Sequence, residues 1–97
     1  MLIVLIEGPL FPLGQIEATP GAIEALERAN QLPTEFLTRH ATGDWGKLDE
    51  HDIAHNRFAL SNGIRLLSNY TTAAGDQLWI ITEADRSATT LLLPEEY

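Results

Sequence analysis

The sequence predicts an α+β domain in which two to three short helices pack on a three-stranded antiparallel meander. The first observation is a set of apolar, β-branched runs in the last third of the chain, separated by turn residues, which predicts strands over 64–72, 77–84 and 88–93. The second is a set of helix start and stop signals between residues 19 and 63. Helices that precede a run of strands are typical of α+β folds, so we expect one domain over residues 1–97.

The N-terminal run Leu2–Ile6 is apolar and is followed by Glu7, Gly8 and Pro9. It is too short for a membrane-spanning helix or a signal sequence. We interpret it as an added strand at the sheet edge or as cover for one sheet face, within an extra N-terminal segment 1–10. The expected protein is cytoplasmic and does not contact a membrane. Residues 14–18 are a brief extended piece.

Three helices follow, each with its own boundary signal. Thr19-Pro20 predicts a helix start, because a capping hydroxyl precedes proline at the first helical position, and Asn30 ends this helix. Ile23 and Leu26 are its expected buried residues. A second helix begins at Pro33 and ends near residues 40–41. A third covers residues 50–62, with Asp49 and Asp52 as a capping pair and glycine at 63 as its end.

The turns between the strands set the register of the predicted meander. A turn near Ala74 places Tyr70 opposite Leu78, and a turn at residues 85–86 places Ile80 opposite Leu91. Side chains alternate across a strand, so each strand contributes to both faces. The core face comprises Ile64, Leu66, Tyr70, Leu78, Ile80, Leu91 and Leu93. The second face comprises Leu67, Trp79, Ile81 and Leu92, and because it is apolar we expect it to be covered by this chain or by another.

Composition excludes several classes of function. The chain has no cysteine, which excludes disulfides, thiolate catalysis and cysteine-ligated zinc. Its 14 acidic residues against 6 Lys and Arg give a net charge of −8. Proteins that bind nucleic acids directly use clustered basic residues, so we expect no such binding here. The acidity is otherwise typical of a soluble protein.

The loop His40–Lys47 (HATGDWGK) is the first candidate site. Two glycines bracket Asp44-Trp45, which predicts left-handed backbone or close approach to another element. In a functional interpretation, His40 and Asp44 belong to a pocket with Trp45 as its wall. In a structural one, Trp45 fills the end of the sheet, Asp44 caps a turn and His40 lies at a helix end.

The turn 83–87 is the second candidate, because it carries Glu83, Asp85 and Arg86 within four residues. Paired carboxylates support acid–base chemistry where their environments separate their pKa values. A hairpin turn is instead expected to be solvated, with Arg86 as a partner of Asp85 or of another acid.

His51 and His55 have the i, i+4 spacing of zinc-peptidase helices, with Asp52 in the place of the usual glutamate. Two histidines on a surface helix are more simply solvated polar residues, so we expect no metal site. The sequence contains no phosphate-binding loop and no dinucleotide fingerprint, and we expect no cofactor.

Three segments carry a resemblance to a known family: residues 11–26 (FPLGQIEATPGAIEAL), 40–48 (HATGDWGKL) and 78–97 (LWIITEADRSATTLLLPEEY). With these, the chain resembles small uncharacterised bacterial proteins described as plasmid-related, from residue 11 onward. The resemblance implies a compact α+β fold and a setting on plasmids or other mobile elements. It implies no activity.

Three hypotheses about function remain. The first, which we favour, is a non-enzymatic protein-binding module that inhibits a host defence nuclease of the restriction or CRISPR type, with binding residues Trp45, Leu67, Trp79, Ile81, Arg86 and Leu92. One version is mimicry of DNA by Asp49, Glu50, Asp52, Glu95 and Glu96. The second is a small hydrolase with His40 as general base, oriented by Asp44 or Glu83, and with Arg86 stabilising an anion. The third is a homodimer formed through the second face.

Overall fold

The computed structural model describes residues 8–97. The elements in chain order are β1 (Gln15–Ala18), α1 (Pro20–Ala29), α2 (Pro33–Ala41), α3 (Glu50–Asn62), β2 (Leu66–Thr71), β3 (Gln77–Thr82) and β4 (Ala88–Leu92). A short 3-10 turn, Pro94–Glu96, follows the last strand. Helices and strands are therefore segregated along most of the chain, and the α+β prediction is confirmed.

The sheet has four strands in the order β1-β4-β3-β2, and β1 is parallel to β4. The prediction of a three-stranded antiparallel meander is therefore wrong at its edge, although β2, β3 and β4 do form a meander. The added strand is the brief extended piece at residues 15–18. A four-residue piece gives little periodic signal, and its pairing with a strand more than 70 positions later is a purely tertiary event. The run Leu2–Ile6, the other candidate for an added strand, lies outside the described residues.

The predicted register is confirmed: Tyr70 pairs with Leu78, Ser68 with Ile80, and Ile80 with Leu91. The helices cover the predicted core face of the sheet. One cluster joins α1 and α2 to the sheet through Ala22, Leu26, Phe36, Leu37, Tyr70, Leu78, Ile80 and Leu91. A second cluster beneath α3 contains Phe11, Trp45, Ala59 and Leu66, and Leu13 packs against both clusters.

All three predicted helices and their caps are confirmed. The Thr19 hydroxyl accepts from the Ala22 N–H, Asp49 accepts from the Asp52 N–H, and Gly63 ends α3 in the left-handed conformation. The prediction that Ile23 is buried is wrong, because α1 presents Ala22, Ala25 and Leu26 to the core and Ile23 lies on the neighbouring side of the helix, 46% exposed. Among residues 8–97, the helices are too short and too polar to cross a membrane.

The β2 edge of the sheet is closed by side chain and loop rather than by another strand. The Asn56 amide of α3 donates to the Leu67 carbonyl at 2.7 Å and accepts from the Leu67 N–H at 3.2 Å, as a neighbouring strand would. Further along, the Lys47 N–H donates to the Asn69 carbonyl, and the Asn69 N–H donates to the Trp45 carbonyl. This protects the edge from pairing with other chains.

Candidate functional site

His40 lies in the last turn of α2 and is completely buried against the core face of the sheet. Its Nδ1 is 2.5 Å from the Ser68 hydroxyl on β2, and its Nε2 is 2.9 Å from the Thr82 hydroxyl on β3. The chain of hydrogen bonds continues from Thr82 to Thr89 at 2.7 Å and from Thr89 to the Leu13 carbonyl at 2.7 Å. The network therefore ties α2 to three strands and to the segment before β1.

The direction of each hydrogen bond in this network follows from the group at its end, the Leu13 carbonyl. A carbonyl only accepts, so Thr89 donates to Leu13 and the Thr82 hydroxyl must donate to Thr89. Nε2 of His40 then carries the proton that it donates to Thr82, and Nδ1 accepts from Ser68. Burial, reinforced by the nearby Arg86 guanidinium, lowers the pKa of His40 to about 4. The ring is neutral at physiological pH and satisfied at both nitrogens.

Aromatic rings enclose the same histidine. Phe11 meets it edge-on with ring centroids 5.3 Å apart, and Trp45 does so at 5.7 Å. Trp45 also stacks on Phe11 and is only 7% exposed. Of the two interpretations of Trp45, the described geometry fits the one in which this side chain fills the end of the sheet.

The Asp44 carboxylate binds Arg39 and Gly46 rather than His40. It accepts from the Arg39 guanidinium at 2.7 Å and from the Gly46 N–H at 3.2 Å, and the Arg39 hydrogen bond lowers its pKa. The Tyr70 hydroxyl donates to the Asp44 carbonyl at 2.6 Å. Gly46 has φ +74°, and a Cβ there would lie 2.2 Å from the Asn69 carbonyl oxygen. Asp44 thus caps a tight turn that follows the β2 edge.

Arg86 has the left-handed φ of +63° in the β3–β4 turn. Its guanidinium donates to the carbonyls of Ile64 at 2.7 Å, Ala59 at 3.0 Å and Glu83 at 3.1 Å. The expectation that Arg86 pairs with Asp85 or with another acid is wrong within residues 8–97, because its guanidinium reaches the end of α3 and donates to backbone carbonyls instead. Asp85 accepts from the Ser87 N–H at 3.0 Å, and bonds to Ser87 lower its pKa.

The structure therefore brings His40 and Arg86 close together, because the Phe11 ring lies against both the His40 ring and the Arg86 guanidinium. The candidate carboxylates are held elsewhere: Asp44 on Arg39, Asp85 on Ser87, and Glu83 on the exposed side of the turn. The four polar groups of the buried network serve the packing of α2 on the sheet. Ser68, Thr82 and Thr89 at core-face positions were the signal for this network in the sequence.

The two histidines of α3, His51 and His55, are both exposed. Within residues 8–97, the side chains close enough to share a cation are Asp49, His51 and Asp52, all on the surface at the start of α3. Asp49 already uses an oxygen to cap the helix. This arrangement is sufficiently explained by helix capping.

The second face of the sheet is partly covered by the C-terminal residues of the same chain. Tyr97 meets Trp79 edge-on at 5.7 Å, and Arg65 lies over the Tyr97 ring at 5.1 Å. Ile81 and Leu92 are each 7% exposed, while Leu67 and Trp79 are half-buried. A cleft of about 360 Å³ remains between Arg65, Ile81, Thr90 and Tyr97.

A second concavity lies on the helix side of the sheet, between β1 and α2. It measures about 370 Å³ and is lined mainly by carbon, from Pro9, Leu13, Ile16, Thr34, Leu37, Thr38, Ala41 and Thr42. We call it the β1 groove. Ile16 belongs to β1 and is 45% exposed at its rim. Sequence reasoning missed this site, since it depends on the parallel placement of β1.

The outer side of β1 is the other feature of this region. Gln15 donates to the Ser87 carbonyl and Thr19 to the Leu91 carbonyl, both towards β4. Backbone groups alternate in direction along a strand, so the N–H and C=O of Ile16 and Ala18 point outward. Among residues 8–97, no strand pairs with that side.

Comparisons with known proteins supply no relative for this arrangement: no family profile matches the chain, and searches of curated proteins and of solved structures find no significant match.

Proposed function

We propose that this chain is a protein-binding module whose docking surface is the outer edge of β1 together with the β1 groove. The observation that carries the proposal is the juxtaposition of outward-pointing backbone groups at Ile16 and Ala18 with an apolar concavity of about 370 Å³. An extended segment that pairs with such an edge gains main-chain hydrogen bonds, and alternate side chains enter the groove for specificity.

The contrast between the two edges of the sheet supports this choice. The β2 edge is occupied by Asn56 and by the loop at residues 45–47, which are contributed by the chain itself. β1, by contrast, has all four of its residues exposed. Proteins usually protect an edge strand from association, and one that is left accessible beside an apolar surface is suited to a partner.

The described chemistry of His40 also favours binding over catalysis as the proposed role. Its two ring nitrogens are engaged with Ser68 and Thr82 in the interior, and its neighbours Phe11 and Trp45 are buried with it. A general base must reach a proton of the substrate. The exposed apolar surface at β1 offers a contact site without such rearrangement.

The partner class that we propose to test first is a host defence nuclease, because the family resemblance implies a setting on mobile elements. The DNA-mimic version is less well supported. Asp49 caps α3, and the Glu96 carboxylate binds the Thr19 hydroxyl, so two of the five carboxylates are already engaged within the chain. Cleavage assays with purified nucleases at low and high salt will distinguish DNA mimicry from other modes of inhibition. Mimicry requires that inhibition falls steeply as the salt concentration rises.

The docking surface is tested by photo-crosslinking in cells that express the chain. Benzoylphenylalanine replaces Ile16 in one variant and Phe58, an equally apolar and 57% exposed residue on α3, in the control. We expect a discrete crosslinked protein at position 16 that is missing at position 58, followed by binding of that purified protein in calorimetry. Crosslinks of equal yield at both positions, or none at position 16, would contradict the proposed surface.

A further inference from the structure

The charge that surrounds β1 identifies the chemistry of the segment that binds there. From residue 8 to residue 23 the sequence contains one charged residue, Glu17. Glu17 lies in β1 itself and is exposed, on the sheet face opposite Ile16, where its carboxylate accepts from the Thr90 hydroxyl at 3.4 Å. The middle of the docking edge is therefore negative.

Carboxylates also mark both ends of the strand. At the start of β1, Gln15 donates to the carbonyl of Ser87, whose own N–H binds the Asp85 carboxylate. At the end, the Glu96 carboxylate accepts from the Thr19 hydroxyl at 2.6 Å and from the Gly21 N–H at 3.2 Å. Bonds to Ser87 and to Thr19, respectively, lower the pKa of each carboxyl, so both are ionised at neutral pH.

The cations of the described chain are directed elsewhere. Arg28 is paired with Asp76 and Arg39 with Asp44. The Arg86 guanidinium binds the carbonyls at the end of α3. Arg65 lies over the Tyr97 ring on the second face, Lys47 belongs to the loop along the β2 edge, and Arg57 is exposed on α3. The β1 edge is thus an acidic strip beside an apolar groove.

From this arrangement we propose that the β1 edge binds an extended peptide segment of another protein that has Lys or Arg at both ends and β-branched apolar residues at alternate positions between them. The inference rests on the function proposed above. The basic ends pair with the carboxylates around Asp85 and Glu96, the backbone pairs with Ile16 and Ala18, and alternate apolar side chains enter the β1 groove. A second copy of this chain is a poorer occupant, because its own β1 would bring an acidic strip against an acidic strip.

The probe is a fluorescein-labelled peptide of sequence Lys-Val-Thr-Val-Thr-Lys with blocked ends, measured by fluorescence anisotropy with the full chain. Two matched peptides accompany it. One has Glu in place of both Lys residues, and the other carries N-methyl groups on alternate backbone amides, in both possible phases. We expect saturable binding of the Lys peptide, with at least about tenfold weaker binding of the Glu peptide and of one N-methylated phase.

Variants of the protein locate the site. Ile16→Lys fills the rim of the groove with a charge and should weaken the Lys peptide at least about tenfold, whereas Phe58→Lys on α3 should leave it unchanged. Glu17→Lys should weaken the Lys peptide and strengthen the Glu peptide, and Glu27→Lys is its control on α1. Circular dichroism of each variant verifies the fold, and all four altered positions are exposed.

Four outcomes overturn the proposal: no binding of the Lys peptide, equal binding of the Lys and Glu peptides, equal effects of Ile16→Lys and Phe58→Lys, or indifference to N-methylation in both phases. If the Lys peptide binds a Leu5→Asp variant but not the unaltered chain, the groove would be assigned to residues 1–7 of the chain itself. Concentration-dependent dimerisation that Ile16→Lys abolishes would assign it to a second copy. Site-specific crosslinks at position 16 without binding of the Lys peptide would leave the proposed function intact and remove only the basic, extended partner.

Discussion

At the scale of single residues, His40 determines how this protein responds to acid. Its pKa is about 4 in the fold, against an ordinary value of 6.5, because burial disfavours the charged ring and the Arg86 guanidinium adds to that effect. A group whose pKa is lowered by folding contributes stability that is present above its unfolded pKa and lost as the pH falls towards its folded pKa.

We therefore predict that the free energy of unfolding decreases as the pH falls from about 6.5 to 4, by about 3 kcal/mol in total from this one residue. Urea denaturation at half-unit intervals of pH will measure the loss. Replacement of the exposed His51 and His55 by Asn is the matched control, in which the decrease caused by His40 should persist. A His40 ring resonance that titrates above pH 6 in NMR spectra would contradict the prediction.

Gly46 gives a second prediction at this scale. Substitution by Ala combines left-handed backbone with a Cβ placed 2.2 Å from the Asn69 carbonyl, so we expect a loss of at least about 2 kcal/mol in the free energy of unfolding. Gly63→Ala is the control, because Gly63 has a similar φ of +62° and nothing within 4 Å of the added carbon. Equal losses in the two variants, measured by thermal unfolding, would show that the contact with Asn69 is unimportant.

At the scale of elements, the β2 edge of the sheet is closed by a side chain whose hydrogen bonds replace those of a neighbouring strand. Asn56 is 1% exposed and makes two hydrogen bonds to the backbone of Leu67. We predict that Asn56→Ala lowers the free energy of unfolding by about 2–3 kcal/mol, because a buried N–H and a carbonyl lose their partners. We also expect a greater tendency to aggregate, since the edge becomes available to other chains.

Asn62→Ala is the comparison for that measurement. Asn62 lies on the same helix, is exposed and makes one bond to the Phe58 carbonyl. Chemical denaturation and light scattering of both variants should therefore separate loss of edge closure from loss of helix propensity. An Asn56 variant as stable and as monodisperse as the Asn62 variant would refute the role assigned to this amide.

At the scale of the whole molecule, Arg86 connects α3 to the β3–β4 turn, two parts of the chain that are not joined by strand pairing. Its guanidinium links the end of α3, the segment before β2 and the β3–β4 turn, and it lies 5.6 Å from the Phe11 ring centroid. We predict that Arg86→Ala lowers the free energy of unfolding by about 2–4 kcal/mol, because three backbone carbonyls, two of them part-buried, lose a charged donor. Arg86→Lys should recover only part of the loss, since an ammonium group lacks the planar fork.

Chemical denaturation will measure both Arg86 variants against Arg57→Ala, which removes an exposed arginine of α3. The matched loss of one positive charge cancels the effect of the net charge of −8 from the comparison. Stability of Arg86→Ala equal to that of Arg57→Ala would show that the long-range connection contributes nothing measurable.

The amino-acid sequence by itself determined the local part of this structure. Capping residues such as Thr19 and Asp49 specify helix starts through bonds to the next three residues, and alternation over residues 66–92 specifies the strand faces and register. These signals act over a few positions of the chain, so they can be seen without the fold.

Only the tertiary structure decided where the candidate sites lie. The burial of His40 depends on Ser68, Thr82 and Thr89 arriving from three strands, and the β1 groove depends on a four-residue strand joining β4 in parallel from the far end of the chain. Such contacts are selected by the packing of the whole core, where each group is satisfied by partners distant in sequence, and no local pattern encodes them.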